Sequence, residues 1–175
     1  MTPNPFSGGV VAGDVRSTPL PAGIGPGALV RTFHGERVIE TLAPGDRILT
    51  ADGTRARLGS VSCHVVPAHG LCRISPKALA EGRTGKCAAP IVVSDQQHIV
   101  VKGWLAQAMF GRDRALVPVS AIIDQELVRR ININAELPLF QLHFDEPKLL
   151  RVGGLDLLAT PIRQPALEPA KRPAF

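Results

Sequence analysis

The sequence predicts an all-β fold, and three observations carry that expectation. Apolar residues come in many short runs, and Gly- and Pro-marked turns separate those runs at a steady rhythm. The opening stretch, Gly27 to Gly53, contains no run long enough or suitably spaced for an amphipathic helix. Aromatic residues make up only 4% of the chain and tyrosine is absent, so the core has to come from Val, Ile, Leu and Ala.

The elements follow in order. Met1 to about Pro21 is rich in Gly, Pro, Ser and Thr and reads as a flexible arm. Leu29-Val30 leads into Thr32, and His34-Gly35 supplies a turn in which glycine is free to take positive φ. Val38-Ile39 follows, Pro44-Gly45-Asp46 breaks the chain, and Ile48-Leu49-Thr50 runs into Asp52-Gly53, a strong hairpin signal. Together these make a β-meander.

Arg55 to Val66 reads as one longer strand bent near Gly59. Leu71–Ile74 is a strand, and Ser75-Pro76 opens a helical turn through Ala80, with Ser at the cap and Pro at the first position. Ile91–Ser94 and His98–Val101 are β-branched strands around Asp95-Gln96-Gln97. Trp104–Phe110 is the helix candidate, stopped by Gly111, and its large apolar side chains are assigned to core packing. Ala115–Val119, Ile122-Ile123, Leu127-Val128 and Ile131–Ile133 continue the strand-and-turn pattern. Leu137–Phe144 alternates, with Phe140, Leu142 and Phe144 on one face and His143 on the other. Leu149–Val152, Gly153-Gly154 and Leu155–Leu158 form a closing hairpin, and the repeated prolines after Pro161 read as a tail.

Composition narrows the function classes. At 175 residues with 45% hydrophobic content, the chain is long enough for one domain with a real core. The formal charge of +5 is spread along the chain, and its arginines look too scattered for a nucleic-acid groove. No apolar run is long enough to span a bilayer, and the N-terminus does not read as a secretory signal. The default location is cytoplasmic, with a leaderless export route left open. Cys63, Cys72 and Cys87 are read as buried free thiols in strands. With His64 and His69 they gather zinc-type donors, but Cys63 and His64 point to opposite faces of a strand and the spacing matches no standard pattern. No metal or cofactor is expected.

Three segments carry a family resemblance. They are Pro26-Gly27-Ala28-Leu29-Val30-Arg31-Thr32, Gly35-Glu36-Arg37-Val38-Ile39-Glu40-Thr41-Leu42, and Pro44-Gly45-Asp46-Arg47-Ile48-Leu49-Thr50-Ala51-Asp52-Gly53. This order resembles the opening of Hint domains, the Hedgehog/intein self-processing fold, and most closely the short free-standing bacterial proteins of that group. The likeness runs from about Ala22 to Pro161. It implies a horseshoe or disc of short strands with one short helix over residues 23–160, between the arm and the tail.

The resemblance also implies a chemistry. Active Hint domains attack the peptide bond before their first residue with a Cys or Ser, helped by a Thr-x-x-His or Ser-x-x-His motif. Such an attack needs a thiol or hydroxyl beside the scissile carbonyl. Here the first position aligns to Gly23, which has no side chain to attack with. Asp95 stands three residues before His98, where the family has its Thr or Ser, and Ser94 is off by one. His143 and Asp145 fall near the position of another functional residue in active relatives. Asp95, His98 and His143 are therefore the candidate site, as a vestigial acid–base set.

The expected function is a degenerate Hint domain with a structural or interaction role, its standing as an enzyme left open. It would have a protein partner and would bind no nucleic acid. The alternative is a self-processing domain that cleaves or splices by a non-standard first step.

Overall fold

The computed structural model of the protein describes residues 20–75 and 89–159. Within them lie thirteen strands and one α-helix. The opening stretch gives β1 (Leu29–Thr32), β2 (Gly35–Val38), β3 (Arg47–Leu49) and β4 (Arg55–Arg57), but not the expected meander: β3 pairs with β1 and not with β2, so β1 lies between them. Asp52 locks the β3–β4 turn by accepting hydrogen bonds from the Thr50 hydroxyl and from the backbone and hydroxyl of Thr54, which hold its carboxyl at about 2.

Next come β5 (Ser60–Pro67), β6 (Leu71–Ile74), β7 (Ile91–Ser94) and β8 (His98–Lys102), then α1 (Gly103–Phe110), capped by Gly111 at φ 66°. The remainder is β9 (Arg114–Pro118), β10 (Val128–Arg130), β11 (Glu136–His143), β12 (Lys148–Val152) and β13 (Leu155–Ala159). The expected helical turn after Ser75 falls outside the described residues, as do the arm up to residue 19 and the tail.

All pairings are antiparallel. The largest sheet runs β4-β3-β1-β12-β13-β8-β9, with β2 alongside β1. A second sheet is β10-β6-β7, and a long ribbon pairs β11 with β5 residue for residue from Glu136↔Pro67 to His143↔Ser60. The main core gathers Val30, Ile48, Val93, Ile99, Leu150 and Leu157, while Val66, Leu71 and Leu139 form a smaller cluster. The aliphatic core inferred from the composition is what fills the interior.

Three further expectations need correction. The expected single strand from Arg55 to Val66 is two strands in different sheets. Leu58, which is buried, donates its N–H to Asp46, whereas the next N–H, that of Gly59, donates to His143, so the chain changes partner within one residue. Trp104, assigned to the core, is 76% exposed at the start of α1, and Met109 is also exposed; of the helix only Ala106 is fully buried. Eight residues docked along β8 and β9 do not have enough turns to bury a Trp at position two as well as the stripe around Ala106.

The third correction concerns the thiols. Cys72 is fully buried in β6, but Cys63 is exposed on β5; Cys87 lies outside the described residues. Burial pushes the Cys72 thiol up to about 11. In native protein at pH 8, a thiol-reactive dye is expected to modify Cys63 within minutes and Cys72 only after denaturation. Peptide mapping of the labelled sites checks this, and rapid native labelling of Cys72 would contradict it.

Candidate functional site

The segment Gly23–Gly25 is threaded between β7 and β11. Ile24 exchanges both backbone hydrogen bonds with Phe140, at 2.8 Å and 2.7 Å, and the Ser94 N–H donates to the Gly23 carbonyl at 3.0 Å. The Gly25 N–H donates to Val92 at 2.6 Å. Both glycines are there because two backbones pass this closely. A Cβ built on Gly23 would lie 2.6 Å from the Leu139 Cγ, and one on Gly25 would lie 2.7 Å from two Val92 side-chain carbons.

This lacing presents the Ala22–Gly23 peptide to the polar face of β11. The Gln141 amide donates to the Ala22 carbonyl oxygen at 2.6 Å. Two residues along, His143 shares that face, and its Nε2 lies 2.6 Å from the Ser62 hydroxyl on β5. The other ring nitrogen, Nδ1, is buried without a hydrogen-bond partner among the described residues. Ala22, Gly23, Gln141 and His143 line one small, partly open cavity of about 30 Å³, whose lining Gln97, Leu157 and Leu158 share. That is room for about one or two waters. Gln97 is itself pinned by donating to the carbonyls of Leu158 and His98.

Burial, and then the neighbouring His64, lower the His143 pKa below its ordinary value of 6.5. The unfolded chain therefore binds a proton here that the folded chain resists. The contribution of His143 is expected to make stability fall as pH drops through 6.5, and to vanish above it. Urea denaturation at pH 5 and pH 8 checks this: His143→Gln should reduce the difference between the two, and an unchanged difference would refute it.

The three candidate site residues do not come together. His143 is at the cavity. Asp95 sits in the β7–β8 turn, where its carboxylate pairs with Arg130 at 3.2 Å and its carbonyl accepts from the Ser120 N–H. His98 is half-buried in β8 opposite Pro118, and its imidazole makes no hydrogen bond among the described residues. Gln141, Ser62 and Gln97 were not anticipated. They converge only because β11 pairs with β5 on one edge and with residue 24 on the other, a register with no local signal. Chemically, the arrangement can polarise the Ala22 carbonyl and offers a neutral imidazole nearby. At residue 23 it offers no side chain.

The Hint domain family matches residues 23–157, beginning at the glycine threaded between β7 and β11. The chain belongs to the Hint domain family. A bacterial intein-like domain from Clostridium thermocellum superposes on it with a TM-score of 0.52 at 13% identity, covering 81% of this chain and 99% of that one. The gp41-1 intein gives 0.49 at 13% identity, covering 81% of this chain and 99% of its own. The MchDnaB-1 intein gives 0.48 at 16%, covering 78% and 99%. At such identities the likeness speaks to the Hint fold alone. Among curated proteins, no sequence matches this one at a significant level. No helix among the described residues is long and apolar enough to cross a membrane, and no group of three or more His, Cys, Asp or Glu among them is placed to hold a metal ion.

Proposed function

We propose that this Hint domain does not process itself through its first position and serves as a structural or interaction domain. One observation carries the reading. The place of a nucleophilic side chain at residue 23 is taken by Leu139, whose Cγ lies 2.6 Å from where a Cβ would stand. The position therefore lacks both the reacting group and the room for it. Without a thiol or hydroxyl beside the carbonyl, the acyl shift that opens self-processing has no attacking atom.

The intact mass of the purified, untagged chain tests this, measured fresh and after incubation with a reducing thiol. The expected result is the full-length mass, with or without Met1, unchanged by the thiol. Loss of the residues before Gly23 would overturn the reading.

A second reading keeps one observation on its side, the hydrogen bond from Gln141 to the Ala22 carbonyl. A donor at that oxygen is what an attack there requires. With His143 as the base for a water held in the cavity, the Ala22–Gly23 bond would hydrolyse without any side-chain nucleophile. Asp95 and His98 would then take no direct part. Cleavage at residue 23 that disappears in Gln141→Leu and His143→Gln would establish this route.

A further inference from the structure

The arginines that look scattered in sequence are gathered by strand register. In β3 and β4, Arg47 stands directly opposite Arg57, and Leu49 opposite Arg55. Thr32 pairs with Ile48, and the Phe33 N–H donates to Arg47, which brings Arg31 and Phe33 of the β1 edge onto the same outer face. The alternate residues Val30, Thr32, Ile48 and Ala56 are buried, so this face looks to solvent. Arg31, Arg47, Arg55 and Arg57 are all exposed, and among the described residues none lies within ion-pair distance of a carboxylate. The nearest opposing charge by register is Glu36, across from Arg31. Like charges set directly opposite each other on a sheet cost stability, and no ion pair among the described residues offsets the Arg47–Arg57 pair.

The backbone on this side is also open. Among the described residues, β4 is the terminal strand of its sheet and pairs with β3 alone. The bonds from Thr50 to Thr54 and from Leu58 to Asp46 set the ladder's alternation. By that alternation the N–H and C=O groups of Arg55 and Arg57 point away from β3, toward the free edge.

We propose that this edge is a docking site for an extended acidic segment of a partner protein, which adds as a strand beside β4. Side chains of such a strand alternate between faces, so acidic groups at every second position would meet Arg55, Arg57 and Arg47. The intervening side chains would turn inward, over the sheet's other face. The proposal rests on the interaction role above and supplies the chemistry of the partner. A nucleic acid suits the face less well. Arg55 already covers one face of the Phe33 ring, 3.9 Å from its centroid, and His34 meets the ring edge-on at 5.2 Å, which leaves little aromatic surface for bases. It would also leave the open backbone edge without a partner. Arginines on an edge strand serve many proteins as guards against unwanted pairing. That simpler role predicts no binding of any acidic strand.

The test uses the full-length protein and a fluorescein-labelled decapeptide alternating glutamate with valine, followed by fluorescence anisotropy at low salt. Saturable binding is expected, weakened by at least about tenfold in Arg55→Glu/Arg57→Glu and by similar amounts at high salt. A peptide N-methylated at the edge-facing positions should bind correspondingly less well, because it lacks the donors for strand pairing. Circular dichroism establishes that the double variant is folded; Arg47→Glu, away from the edge backbone, serves as the second variant. Absence of binding, binding indifferent to both variants, or equal binding of the N-methylated peptide would overturn the proposal. So would tighter binding of a ten-nucleotide oligothymidylate through the same arginines. None of these results bears on the intact mass, so loss of this partner and loss of the inert-domain reading are distinguishable.

Discussion

The Gly23→Cys variant is expected to lose about 2–3 kcal/mol of stability and to produce no cleavage at residue 23. Returning a thiol to the first position would revive the reaction only if the thiol had room beside the carbonyl. The structure leaves no space for it. The new Cβ would meet the Leu139 Cγ at 2.6 Å and the Phe140 carbonyl oxygen at 3.0 Å. Leu139 is fully buried against Val66 and Leu71, and the Phe140 carbonyl is already committed to the Ile24 N–H at 2.8 Å. Relief therefore requires either repacking the small core or parting the backbone seam.

Leu139→Ala alone should cost about 2–5 kcal/mol through the cavity it leaves. Gly23→Cys combined with Leu139→Ala should cost less than the sum, because the cysteine fills part of the hole that the alanine opens. Urea denaturation of the four proteins completes the cycle, and mass spectrometry of the same samples reads cleavage. Strict additivity would mean that the two side chains do not compete for one space.

The second large effect is expected at the closing hairpin, where Lys102→Met combined with Arg151→Leu should cost about 3–5 kcal/mol. Asp156 alternates on β13 with the core residues Leu155 and Leu157, yet its side chain is only 3% exposed, covered and held by Lys102 at 2.6 Å and Arg151 at 3.2 Å. Arg151 is its direct cross-strand partner, whereas Lys102 reaches it from the end of β8. Both cations keep about a third of their side chains in water, so neither is costly to hold in place. The carboxylate would be costly if left alone. Either single substitution leaves one cation in place and should cost about 1–2 kcal/mol. Adding Asp156→Leu to the double variant should recover most of the loss, since an apolar residue needs no partner there. Chemical denaturation at neutral pH measures each step; a triple variant no more stable than the double would show that the loss is not electrostatic.

Much of the fold was legible because its signals are local. The turns at Gly35, Asp52-Gly53 and Gly153-Gly154, the alternation of Phe140, Leu142 and Phe144, and the glycine after α1 all lie within a few residues of what they determine. The division at Leu58 was hidden because both flanking segments are good strands, and only the long-range partners Asp46 and His143 separate them. The exposure of Trp104 escaped for a related reason. Hydrophobicity argues for burial, but where α1 docks depends on β8 and β9.

At the site, the missing side chain at residue 23 was readable once the family resemblance had set the alignment. The grouping of Gln141, His143 and Ser62 was not, and neither was the separation of Asp95 from His143. Spacing in sequence placed Asp95 and His98 three residues apart, whereas in space Asp95 belongs to Arg130. The arginine face repeats the lesson, since Arg31, Arg47, Arg55 and Arg57 form a patch only once their strands are in register.

The seam at Ile24 has a consequence for how the molecule is made. Its partner Phe140 lies more than a hundred residues downstream, and Val30 waits for Val152 in the same way. During synthesis the first strands emerge long before the strands that complete their sheet, and β1–β4 have to persist as a small, half-finished unit in the meantime. Pairing across such separations closes large loops before any contact rewards it, which makes for slow folding. The capture of Gly23–Gly25 between β7 and β11 has to wait in turn until β11 has been made. Glycine on both sides of Ile24 suits that step as well as the finished seam, because only one side chain has to be seated as the segment enters the slot.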